Sequence, residues 1–107
     1  DFNDEIYSNI DTMYIYVKSA MEMMVAQLHD VENVSGKSLI DSYNKEREIN
    51  NYRNSLRSAN VGNINAKHYE YQAGIYYMDI IGDLEKTGDY IINVVDTLRD
   101  NFKKATN

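Results

Sequence analysis

The chain of 107 residues has no cysteine, no proline and no tryptophan. Without cysteine there can be no disulfide and no thiolate metal site, and thiol redox chemistry is excluded with them. Without proline, nothing in the sequence forces a helix to kink, so helices can be long, and the five glycines become the places where they stop or approach one another closely. Cations are scarce as well: 11 lysines and arginines stand against 17 carboxylates, for a formal net charge of -6 and a pI near 4.7. Nucleic-acid binders need a dense basic patch to displace counterions from phosphates, so that partner class is excluded. No apolar run approaches the roughly 20 residues that span a bilayer. The acidic start, Asp1-Phe2-Asn3-Asp4-Glu5, has the wrong sign for a signal peptide, and direct membrane insertion of this segment is not expected. No nucleophile–base pair, phosphate loop or glycine-rich nucleotide motif occurs, so the sequence carries no residue-level support for an enzyme.

What the chain does have is helical periodicity throughout, as expected for one all-α domain over residues 1–107. Ile6, Ile10, Met13, Val17, Ala20, Met24, Leu28 and Val31 recur at steps of three and four and predict a first helix over about 3–30. Asn33 to Lys37 reads as a turn, and Ser38 followed by Asp41 resembles an N-terminal cap. A second helix is predicted over about 39–59, with Leu39, Tyr43, Ile49, Tyr52, Leu56 and Ala59 inward; its stripe is the weakest of the three. Asn60-Val61-Gly62-Asn63 reads as the next break, with Asn63 or Asn65 as a cap.

The third helix, predicted over about 66–103, carries an unbroken heptad seam of Tyr77, Ile81, Leu84, Gly88, Ile91, Val95, Leu98 and Phe102. Gly74 and Gly88 lie two heptads apart on that line and predict a close-packing seam, because glycine inside a helix costs about 1 kcal/mol relative to alanine and tight packing must offset it. Three helices with short connections predict an antiparallel up-down-up three-helix bundle with a long third helix. A second helix of about 21 residues at about 1.5 Å each cannot cover its longer neighbours. Phe2 and Ile6 on the first helix and Leu98 and Phe102 on the third are therefore expected to form an interface, either with a second copy of the chain or with the rest of a longer protein.

The third helix also carries carboxylates in pairs. At about 100° per residue, Glu85, Asp89 and Asp96 line one flank, and Asp79 and Asp83 form a second four-apart pair across the seam. Like charges at this spacing weaken a helix by about 0.2–0.5 kcal/mol per pair. Something is expected to neutralise them. A hard divalent cation such as Mg²⁺, Mn²⁺, Ca²⁺ or Fe²⁺ is one answer, with Glu85, Asp89, Asp79 and Asp83 as ligands. Ordinary ion pairing with Lys86, Lys18, Arg47, Arg53 or Arg57 is the other. His68 has no carboxylate three or four residues away and His29 has only Glu32, beyond the predicted helix end, and both read as plain polar residues. The ten tyrosines, several of them clustered at 7–16 and 69–77, read as the half-buried rim of the bundle, with an interface as the sharper alternative.

The stretch Met78 to Val95, MDIIGDLEKTGDYIINVV, resembles the third-helix signature of the PhoU family, a Leu-Glu-x-x-Gly-Asp core followed by small and apolar residues. Glu46-Arg47-Glu48-Ile49-Asn50 and Leu56-Arg57 are similar to the second helix of PhoU-like tails in bacterial sodium/phosphate cotransporters. The resemblance covers roughly residues 45–100. It implies a three-helix bundle that regulates phosphate transport, on the cytoplasmic face of the inner membrane as part of a larger membrane protein. The membrane transport domain of that protein, or a homo-oligomer, would be the partner. It also places the family's metal-binding Glu/Asp-x-x-x-Asp motif on Glu85 and Asp89. The chain departs from the family at Tyr90, where histidine is usual, and at Thr87, where a branched aliphatic is usual.

Overall fold

The computed structural model describes residues 2–106, and among these there are three α-helices and one 3-10 turn, with no strand. Helix α1 spans Asp4–His29, η1 spans Val31–Asn33, α2 spans Gly36–Asn65 and α3 spans Tyr71–Thr106. Each helix packs against both others, in a body measuring 56 × 19 × 17 Å.

Local chemistry sets the ends. Asn3 caps α1 through its side chain, which accepts from the Ile6 amide at 2.8 Å, and Asp4 and Glu5 follow at the positive end of the helix dipole. Ser35, three residues before the expected cap, accepts from the Ser38 amide at 3.0 Å and opens α2. That helix runs through Asn60-Val61-Gly62-Asn63 instead of breaking there. It ends at a Schellman motif: the His68 amide donates to the Asn63 carbonyl at 2.9 Å and the Lys67 amide to the Ile64 carbonyl at 3.0 Å. Lys67 sits at φ 60, the left-handed position usually given to glycine. Residues 66–70 form this connection, so α3 starts later than the periodicity predicts and then continues unbroken through Gly82 and Gly88.

The core follows the predicted stripes of α1 and α3. Ile6, Met13, Val17 and Ala20 pack with Tyr77, Ile81, Ile91, Val95 and Leu98, joined by Leu39, Ile49 and Leu56 of α2. At the end of α1 the inward position belongs to Gln27 and not to Leu28, and Val31 and Ala59 are exposed.

The length argument for an interface is overturned. α2 has 30 residues, about 45 Å at about 1.5 Å per residue, against 26 in α1 and 36 in α3. It therefore reaches both ends of the core. Ile6 and Leu98 are buried in the chain's own interior at 1% and 5% exposure, and Phe2 and Phe102 are half-buried against it.

The glycine seam is tightest at Gly74. A Cβ there would lie 2.6 Å from Ile64 Cδ1 and 3.0 Å from Asn60 Oδ1, so any larger residue would have to push these two side chains of the C-terminal turns of α2 aside. At Gly88 a Cβ would lie 3.4 Å from Ile49 Cδ1, a snug but lesser approach.

Candidate functional site

Packing three helices creates three surface grooves, and the residues that face each follow from one-residue steps away from the buried seams. Two of the grooves are closed by polar bonds between helices.

Along α1 and α2, residues late in one meet residues early in the other. Gln27 Nε2 donates to Ser38 Oγ at 2.6 Å and Ser42 Oγ at 3.0 Å. Lys45 Nζ reaches Ser19 Oγ at 2.7 Å, and the Tyr16 and Tyr52 rings meet edge to face at 5.2 Å. Further along, Tyr52 OH donates to Asn9 Oδ1 at 3.2 Å while Asn9 Nδ2 donates to Tyr77 OH at 3.1 Å, tying all three helices at one level. Burial, more than any neighbour, pushes the Tyr77 phenol up to about 12.

Along α2 and α3 the carboxylate flank is consumed. Arg53 forms an ion pair with Glu85, and both side chains are largely buried, at 22% and 14% exposure. Asp96 accepts a hydrogen bond from Tyr43 OH. Arg99 lies 3.7 Å from Asp96 Oδ1 and stacks over the Tyr43 ring at 5.8 Å. Burial first, and then the bond to Asp96, push the Tyr43 phenol up to about 12. Tyr69 OH donates to Asn60 Oδ1 at 2.6 Å, and burial raises its phenol too.

These contacts answer the question of what neutralises the acids. Glu85 is answered by the Arg53 guanidinium, the ion-pair alternative to a metal cation. Asp89 points into solvent, Asp79 is exposed, and Asp83 faces Lys86 at 3.9 Å. Among the described residues no three metal-ligating side chains converge, so the structure does not assemble Glu85, Asp89, Asp79 and Asp83 into one coordination shell. The sequence reading missed Gln27 and Asn9, and it took Asn60, buried inside α2, for part of a helix break. Their signal was present in the spacing, since Gln27 falls seven residues after Ala20 on the inward line.

The third groove, between α1 and α3, is different. One step off the α1 seam lie Tyr7, Tyr14, Met21 and Val25, and one step off the α3 seam lie Tyr76, Ile80, Tyr90 and Val94. Tyr7 and Tyr76 line one depression with Phe2 and Ala73, which fixes both stripes to the same side of the bundle. This groove is open: Tyr7, Tyr14 and Tyr76 are just over half exposed and Tyr90 is 73% exposed. Of the ten tyrosines, five close the interior or its rim and five, including these four, remain outside.

No family model, no curated protein and no solved structure matches the chain. Among the described residues, no helix is long and apolar enough to cross a membrane.

Proposed function

We propose that this chain is a docking domain, a PhoU-like up-down-up bundle that serves as the cytoplasmic regulatory or assembly domain of a sodium-dependent phosphate transporter. One observation carries the docking reading: the α1/α3 groove presents tyrosine and aliphatic side chains at heptad spacing, whereas its two sister grooves are closed by hydrogen bonds and an ion pair. Aromatic residues on an exposed stripe are the composition of a protein interface, because they offer large contact area with little conformational freedom to lose. The transport reading draws its support from the resemblance of the Met78 to Val95 segment, which lies within one continuous helix with Gly88 on the buried line. Glu85 then has an architectural role, held by Arg53, and Tyr43 with Asp96 repeats that role about three turns further on.

The test is sodium-dependent phosphate uptake by cells making the full gene product with and without residues 1–107. A change in uptake rate or in its response to external phosphate is the expected result. Equal uptake by both, or a gene product with no hydrophobic spans, would remove the transport reading.

A further inference from the structure

We propose that the α1/α3 groove receives a basic amphipathic helix from a protein partner, whose apolar stripe would lie along Tyr7, Tyr14, Val25, Tyr76, Tyr90 and Val94. The proposal rests on the docking reading above and adds the chemistry of the occupant.

Shape argues for a helix. Tyr7, Tyr14 and Met21 repeat every seven residues on one wall, Tyr76 and Tyr90 lie two heptads apart on the other with Asp83 between them, and a groove between two near-parallel helices with such repeats is the seat a further bundle helix takes. Its length is sufficient, since Tyr7 to Val25 spans about five turns.

Charge argues for a basic one. α1 carries four carboxylates against one lysine, whereas α2, on the far side, carries three against five; of the six carboxylates on α3, Glu85 and Asp96 are already paired toward α2. Asp11 and Lys18 of α1 and Asp83 of α3 take the same one-step positions as the tyrosines and lie within the groove, and Asp79 and Lys86 are exposed along its rim. A helix with lysines or arginines beside its apolar stripe meets this field favourably, while an acidic helix or an anionic lipid surface is repelled.

The same distribution argues against a second copy. The basic helix of another copy is α2, whose outward line is apolar only at its two ends, Ile40 and Val61, with Asn44, Arg47, Asn51, Asn54 and Ser58 between them. Two α1/α3 grooves meeting face to face would set acid against acid.

The test uses two fluorescein-labelled synthetic peptides, each of about three heptads with the same leucine stripe, one flanked by lysine and one by glutamate. Fluorescence anisotropy against the whole chain should show saturable binding of the lysine peptide only. Binding should weaken as salt rises from about 0.01 to about 1 M, where the screening length drops from about 30 to about 3 Å. Tyr14→Glu with Tyr90→Glu should lower affinity by about tenfold or more, equivalent to about 1.4 kcal/mol, and Arg47→Glu on the far face should leave it unchanged. Both tyrosines are exposed, so the folding of the double variant is checked by its melting curve; Asp79→Lys with Asp83→Lys tests the charge component on its own.

Absence of binding by the lysine peptide, equal binding of both peptides, or indifference to the groove variants would overturn the proposal. So would a dimer of the unmodified chain in sedimentation equilibrium that Tyr14→Glu with Tyr90→Glu dissolves, which would give the groove to a second copy. If uptake depends on the domain but the lysine peptide does not bind, docking stands and the basic helix falls.

Discussion

α2 and α3 share a hydrophobic core but solve the packing problem in different ways. The seam of α3 is apolar from Tyr77 to Phe102, and its members gain stability by leaving water, whichever apolar neighbour they meet. The seam of α2 holds Ser42, Arg53 and Asn60 among Leu39, Ile49 and Leu56, and each polar member is tolerable only because a specific partner waits outside α2: Gln27 on α1, Glu85 on α3 and Tyr69 in the connection before α3. One helix is held by a general force, the other by addressed contacts. Uniform burial supplies most of the stability, while the addressed contacts select one alignment of the three helices from those that would bury similar area.

Four substitutions or conditions break or sharpen that contrast. The largest effect belongs to the apolar seam. Ile81→Ala removes a side chain that is 1% exposed and should cost about 2–5 kcal/mol by urea denaturation, whatever the pH. In the polar seam, Arg53→Met should cost about 2 kcal/mol, because it leaves the Glu85 carboxylate largely buried and unpaired. Adding Glu85→Leu should recover most of that loss. A double variant as unstable as the single would show that Arg53 acts through packing and not through its charge.

Alkaline pH acts on the same contacts. An unfolded tyrosine ionises near 10, whereas Tyr77 and Tyr43 hold their protons up to about 12. The folded state therefore binds more protons between those values, so this stabilisation is complete below about pH 10 and is lost as pH rises towards about 12. Melting temperatures across that range, with absorbance titration of phenolate, should show the decline; Tyr77→Phe should make it shallower. The smallest effect is a gain. Lys67→Gly relieves a left-handed residue at the end of α2 and should stabilise by about 0.5–1 kcal/mol in thermal melts, with both seams intact.

The same contrast explains how much could be read in advance. Every predicted inward position of α3, from Tyr77 to Phe102, is buried or half-buried, because an apolar heptad announces its own burial. Gly74 was legible for the same reason: glycine on a packed line signals an approaching neighbour. α2 was read as a 21-residue helix with a break at Asn60, because asparagine and glycine are local helix breakers. What extends it to Asn65 is the bond from Tyr69 to Asn60 and the packing of Ile64 on Gly74, and those partners lie on another segment. The supposed interface ends at Phe2, Ile6, Leu98 and Phe102 followed directly from that shortened helix. Paired acids on α3 were visible in the sequence, but whether Arg53 or a cation answers Glu85 depends on the register between helices, which periodicity within one helix does not encode.

The level at which Asn9, Tyr52 and Tyr77 join has a mechanical meaning for a body 56 Å long. Sliding one helix past the others by a single turn, about 5.4 Å, would strip these three side chains of their mates at once. A one-turn piston movement therefore costs about 1 kcal/mol for each bond broken, in addition to the repacking of the core. The three helices are thereby tied to shift together at this level more readily than any one of them along its own axis.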